Sequence, residues 1–259
     1  VVEGGGAAEP IPAATAEELT LSDGRIVCVF DSPEAAAAGL VAETAVAARA
    51  AIAAKGAFSL AVSGGEVATA LATLSKQPDL DFGKFHVFFC YDDLADLPSH
   101  SEACLNWLDA CSVPKNQIYV MPKLQPEAAA ATYTASMCML PESVIADSAE
   151  GLPAVDLALL STGDDGSCAG VRPGSSELSK TKSGEIVLFS EQPDRLTLSM
   201  DFMNAACHAI LLAAEPSRAE AVSKGLGGSA DCPVAQLKAP RTEWFVTAKS
   251  FATFRASQA

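Results

Sequence analysis

The sequence predicts an α/β fold: a single doubly wound, mainly parallel sheet with helices on both faces and an antiparallel edge addition. Three observations point there. Short β-branched or wholly apolar runs alternate with helical stretches from Gly24 onward. Three of those runs, Phe85 to Tyr91, Val155 to Ser161 and His208 to Ala214, are too continuously apolar to leave one face wet. Strands of that kind belong to parallel sheets covered on both sides. Finally, 259 residues suffice for one large α/β domain with a substantial core.

The elements follow in order. Residues 1–23 carry Gly4-Gly5-Gly6, two prolines and scattered acids, and read as a flexible N-terminal arm ahead of a domain over 24–259. The chain opens on Val, so a presequence is expected to have been removed or left out. Ile26 to Phe30 is the first strand. Ser32-Pro33-Glu34 then opens a helix, with Ser as N-cap, Pro at the first helical position and Glu in the electropositive first turn. It ends at Lys55-Gly56, a basic last turn followed by a residue tolerant of the left-handed cap. Phe58 to Val62 is the next strand, running into Ser63-Gly64-Gly65, with a helix from Val67 to Ser75. Glu185 to Ser190 and Arg195 to Met200 are spaced as the antiparallel addition. Trp244 to Thr247 is the last strand before a C-terminal helix.

Composition narrows the function. Lys and Arg number 17 against 32 Asp and Glu, a net charge of −15. A surface so acidic repels phosphate backbones and anionic lipid, so no nucleic-acid partner is expected. No apolar run reaches the roughly 18–20 residues of a membrane span before Glu43, Arg49 or Thr132 interrupts it. The eight cysteines form no CxxC pair and do not cluster with the three histidines, so neither a metal nor a cofactor is expected. Most of them read as buried free thiols, and a reducing compartment is expected.

Ligands of doubly wound sheets sit at the C-terminal ends of strands. The segments there are Ser63-Gly64-Gly65-Glu66, Tyr91-Asp92-Asp93 and Thr162-Gly163-Asp164-Asp165-Gly166-Ser167, with Ser99-His100-Ser101-Glu102 after the second. Pro173-Gly174, Arg195-Leu196-Thr197-Leu198-Ser199, Asn204 and Trp244-Phe245 follow in the same order. Together these resemble the 6-phosphogluconolactonase and glucosamine-6-phosphate isomerase/deaminase superfamily, and more closely its lactonase branch. The resemblance spans nearly the whole domain. It implies a site that opens the ring ester of a phosphorylated sugar lactone with water. Such chemistry needs an anchored phosphate, a base and stabilisation of the carbonyl oxygen.

Several positions depart from the family pattern. Where the family has a hydroxyl after its Gly-Gly turn, this chain has Glu66, whose charge opposes a phosphate by about 4 kcal/mol at ~4 Å and a dielectric near 20. The family's Arg after the second strand falls on Asp93, with Tyr91-Asp92 on its acidic pair; slipped by one residue, Asp92-Asp93 takes the pair and Leu94 the Arg. The histidine to which the family assigns proton transfer falls on Ser167, which cannot titrate near neutral pH. The degenerate positions are thus Ser167, Asp165, Asp92 and Asp93, with His100 as a substitute base. Ser63, Gly64, Gly65, Glu66, Arg172, Arg195 and Arg218 form a remnant pocket.

The favoured expectation is therefore a catalytically degenerate lactonase-like protein, serving as a structural or interaction subunit among other protein subunits of an organellar assembly. One alternative is an active 6-phosphogluconolactonase of the pentose phosphate pathway with a rearranged site using Asp92, Asp164 or His100. Another is a non-catalytic sensor binding a sugar phosphate. The expected compartment is the plastid stroma or mitochondrial matrix, with the cytoplasm as alternative.

Overall fold

The computed structural model describes residues 16–94, 100–181, 183–191 and 194–258. The chain enters on β1 (Glu17–Thr20), which pairs antiparallel with β2 (Ile26–Phe30). Residues 17–20, expected in a flexible arm, thus form an edge strand, tied to the C-terminal helix by an ion pair from Glu17 to Arg255 at 2.8 Å. Residues 1–15 of that arm lie outside the described residues.

Helix α1 (Pro33–Lys55) starts and stops where the sequence says. Ser32 accepts a hydrogen bond from the Ala35 N–H, and Gly56 closes the helix in the left-handed region at φ 82°. At 23 residues it is long and apolar enough, by length and composition, to cross a membrane. This corrects the expectation that no segment reaches that length, which counted Glu43 and Arg49 as interruptions. Here Ala36, Leu40, Val41, Ala45 and Ala48 pack into the core.

The chain continues through β3 (Phe58–Val62), α2 (Glu66–Leu71), β4 (Phe85–Phe89), β5 (Tyr91–Asp93), α3 (His100–Ala110), β6 (Ile118–Tyr119), α4 (Pro126–Cys138), the small pair β7 (Ala146–Asp147) and β8 (Pro153–Ala154), and β9 (Leu157–Ser161). Then come α5 (Ser176–Ser179), β10 (Val187–Glu191), β11 (Asp194–Leu198), α6 (Met200–Ala205), β12 (His208–Ala213), α7 (Ala219–Leu226), β13 (Arg241–Thr247) and α8 (Ala248–Ser257). The helix expected over Val67–Ser75 is shorter, giving way to a 3-10 turn at Leu74–Lys76.

Eight strands make the main sheet in the order β1-β2-β13-β12-β9-β3-β4-β6. Every neighbouring pair from β2 to β6 is parallel. The antiparallel addition is a sheet of its own, β10-β11-β5, entered because the apolar run after β4 breaks at Cys90 and Tyr91 turns to pair with Thr197. Residues alternate between two cores. Leu60, Val62, Val87 and Phe89 pack beneath α1 to α3, with Trp107 and Leu108. Ala61, Phe88, Leu160, Leu211 and Trp244 face the other layer, with Tyr133, Met203, Val222 and Phe251. That two-sided burial is what the uninterrupted apolar strands demand.

Five of the eight cysteines (Cys90, Cys104, Cys111, Cys168 and Cys232) are buried; Cys28 is half-buried, and Cys138 and Cys207 are exposed. Burial raises the buried thiols, Cys168 to about 12, which keeps them protonated and unreactive.

The strand order also locates the site. After β3 the chain builds outward through β4 and β6, whereas after β9 it builds the other way through β12 and β13. The direction reverses between β3 and β9, the switch point at which such sheets open a crevice beyond their C-terminal strand ends.

Candidate active site

A cleft of about 180 Å³ lies at that switch point. Its walls come from the turn after β3 (Gly65, Glu66), the loop after β9 (Ser161, Thr162, Gly163, Ser167, Ala169, Gly170), Tyr91 of β5, Arg195 of β11 and Arg218 before α7. Three larger grooves lie beside α4 and β10, between α1 and α2, and around Arg25 and Lys238; none of them takes in the loop after β9.

The turn after β3 is held from behind. Ser63 is buried and its Oγ lies 3.1 Å from that of Ser161, whose hydroxyl also donates to the Gly64 carbonyl at 3.3 Å. Gly65 takes φ 67°, a conformation that L side chains rarely adopt. The next residue, Glu66, does not project its charge freely into the cleft. Its carboxylate accepts the Ala214 N–H at 3.3 Å and the Arg218 Nε–H at 3.0 Å. Arg218 donates in turn to Asp164.

The loop after β9 is a tight hairpin bridged by Thr162 to Cys168 and Cys168 to Val171. Asp165 accepts the Ser167 N–H at 2.9 Å. Burial pushes the Asp165 carboxyl up, but hydrogen bonds from the Ser167 backbone and side chain, with the Arg172 charge, outweigh it and hold the group below its ordinary value. Asp165 is therefore an ionised carboxylate beside the Ser167 hydroxyl. At the far end of the hairpin Ala169 has φ 47°, a strained conformation for a side-chain-bearing residue in a cleft wall. Its carbonyl accepts from Thr197 Oγ1 at 2.6 Å, which fastens the loop to β11.

The second strand end divides its two acids. Asp92 is buried and accepts from the Ser101 hydroxyl at 2.6 Å, so it belongs to the support beneath the site. Asp93 accepts from Arg195 Nε at 2.7 Å. The Arg195 guanidinium lies 4.9 Å over the Tyr91 ring, and burial pushes the Tyr91 phenol up to about 12.

Of the expected pocket, Gly65, Glu66, Arg195 and Arg218 do line the cleft; Ser63 and Gly64 stand behind it. Arg172 is exposed and absent from the wall, and acts through its charge on Asp165. Of the degenerate positions, Ser167 is in the wall and Asp165 bonds to it, whereas Asp92 and Asp93 are committed to Ser101 and Arg195. His100 is the first residue of α3, and its side chain lies outside the described residues, as does Ser99. Tyr91, Ser161, Ala169 and Gly170 were not singled out as pocket residues, and only the signal of their strand-end positions could have found them. Asn204 bonds to the Gln236 carbonyl and the Lys238 N–H, a loop anchor away from the cleft. Among the described residues no group of three or more His, Cys, Asp or Glu is placed to hold a metal ion.

A family model described as glucosamine-6-phosphate isomerases/6-phosphogluconolactonase matches residues 31–246. The chain belongs to this family. Among its curated members, probable 6-phosphogluconolactonase 3, chloroplastic, of Oryza sativa subsp. indica is 32% identical over 210 residues, covering 76% of this chain and 64% of the rice protein. The 6-phosphogluconolactonase 3, chloroplastic, of Arabidopsis thaliana is 29% identical over 209 residues, covering 74% and 64%. The chain thus spans less than two thirds of the length of these relatives. The 6-phosphogluconolactonase of Thermotoga maritima superposes with a TM-score of 0.73 at 16% identity, covering 86% of this chain and 99% of that one. That of Trypanosoma brucei gives 0.70 at 18%, covering 86% and 96%. Identities this low carry the shared fold.

These relatives overturn the expectation of a catalytically degenerate subunit: the similar family members from rice and Arabidopsis are named lactonases. The geometry shows where that expectation misjudged the residues. It treated Glu66 as an unopposed charge, whereas Arg218 and the Ala214 N–H receive it. It also took Asp165 as support for the turn backbone, whereas Asp165 is an ionised carboxylate bonded to Ser167.

Proposed function

We propose that this chain hydrolyses 6-phosphogluconolactone. One observation carries the proposal: the family match over residues 31–246 contains every residue of the cleft, from Gly65 to Arg218. Lactone opening begins with attack of water on the ring carbonyl, which places negative charge on the carbonyl oxygen before the ring C–O bond breaks. Asp165, ionised and bonded to Ser167, takes the proton of the attacking water and returns it to the ring oxygen as the C–O bond breaks, and the Ser167 hydroxyl orients that water. Arg195, held over the Tyr91 ring, sets positive charge at the cleft wall where charge develops. A carboxylate is a weaker base than imidazole at neutral pH. The substrate offsets this, because lactones of this kind already open unaided in water. The chloroplastic relatives support the plastid as the compartment.

The test is release of 6-phosphogluconate from freshly generated 6-phosphogluconolactone beside a protein-free control. A rate above the control that falls at least tenfold in Asp165→Asn is expected. A rate equal to the control refutes the proposal.

A further inference from the structure

Both arginines that line the cleft are already paired within the chain. Arg195 is held by Asp93 at 2.7 Å, and Arg218 by Glu66 at 3.0 Å and by Asp164. The two partners of Arg218 are unlike. The Asp164 side chain is 67% exposed, so water and salt weaken its hold. The Glu66 side chain is 17% exposed and is fixed from a second side by the Ala214 N–H. Glu66 therefore occupies the guanidinium as a carboxylate ligand supplied by the chain itself.

We propose that Glu66 is a specificity-determining residue: it competes with the phosphate of a phosphorylated lactone for Arg218, and so narrows the preference for phosphorylated over unphosphorylated lactones. This rests on the lactonase reading above. A phosphate approaching Arg218 meets a like charge at the contact and must either displace Glu66 or bind beside it. Both routes weaken binding through the phosphate alone. A lactone bearing a hydroxyl at that end meets no such repulsion and can donate to the carboxylate. The chain thus accepts an unphosphorylated lactone with less disadvantage than an unpaired arginine would impose.

The experiment compares kcat/KM for 6-phosphogluconolactone and for glucono-1,5-lactone in the natural chain, Glu66→Gln and Glu66→Ser. Gln keeps the shape and the acceptor for Ala214 while removing the charge; Ser removes both. The ratio of phosphorylated to unphosphorylated kcat/KM is expected to rise about 10- to 100-fold in both variants, mainly through KM. An unchanged ratio in a folded Glu66→Gln variant overturns the proposal. Calorimetric titration with 6-phosphogluconate and with gluconate separates this from failure of the lactonase reading. If neither lactone is turned over, that reading falls, and Glu66 is still tested by binding. At least tenfold tighter 6-phosphogluconate in Glu66→Gln, with gluconate unmoved, supports the proposal. Equal affinities, or no binding to either protein, overturn it.

Discussion

Arg195 donates its Nε–H to Asp93 at 2.7 Å, and the two residues are register partners across the β11–β5 ladder. The pair is placed by backbone pairing, so it is part of how the second sheet holds its edge against the cleft. With the guanidinium also 4.9 Å over the Tyr91 ring, Arg195 joins an ion pair to a cation–π contact. Arg195→Lys keeps the charge but loses the guanidinium's contact with the ring and the Nε geometry. It should lower stability by about 1 kcal/mol, read as a shift of the urea midpoint at constant slope. Asp93→Asn, which leaves the ring contact in place, should cost less. Equal losses in the two variants would contradict the role assigned to the ring.

The base can be identified by pH. Asp165 lies below its ordinary value of 3.8, so it is ionised throughout the neutral range. The protein-dependent rate should therefore show no acid limb between about pH 5 and 8 once the spontaneous reaction is subtracted. Ser167→His should add a limb near pH 6.5 and raise the plateau about tenfold or more. A limb near 6–7 in the natural chain would instead assign the proton transfer to a histidine, with His100 the first to replace.

The scaffold was legible because each of its signals is local or periodic. Ser32, Pro33 and Gly56 bound α1 by capping chemistry alone, and the unbroken apolar strands announced two-sided burial. The position of the cleft was legible too, since strand ends at a switch point follow from the fold class. The state of its charges was not. Glu66 reads as an unpaired acid until Arg218, 152 residues later, is seen to meet it, and no spacing rule joins those two positions. Arg172 and Arg218 look alike in sequence, yet one is exposed and the other buttresses the cleft. The strand at Glu17–Thr20 was missed for a related reason: its Gly- and Pro-rich approach outweighed four residues whose pairing depends on β2.

At the opposite end of the sheet, His208 Nε2 and Glu243 Oε2 lie 3.3 Å apart, both buried. Their alignment is too poor for a hydrogen bond, and Arg241 makes the firmer contacts with Glu243 at 2.6 and 2.9 Å. Burial pushes the Glu243 carboxyl up, but His208 and Arg241 outweigh it and the group lies below its ordinary value of 4.5. A lowered carboxyl contributes stability above its unfolded value and loses it as pH falls through the folded one. Glu243→Gln should thus cost about 1.5–3 kcal/mol at pH 7. The gap to the natural chain should shrink as urea melts are taken below about pH 4.5, and a gap constant down to pH 3 would refute the ionic assignment.

Gly170 carries the last expectation. It takes φ 90°, and a Cβ built there would lie 2.8 Å from Tyr91 Cβ and 3.1 Å from Thr197 Oγ1. Gly170→Ala therefore suffers twice, from the left-handed backbone and from a wall that must move. Gly228 makes the control, because it takes φ 77° with nothing within 4 Å of its Cβ position. Gly228→Ala should cost about 1 kcal/mol, the backbone share alone. Gly170→Ala should cost about 1–3 kcal/mol more and lower kcat/KM, since Tyr91 and the Thr197 anchor of the loop are what it displaces. If the two variants melt together and the Gly170 variant turns over lactone at the natural rate, the contact between this loop and β5 does not shape the cleft.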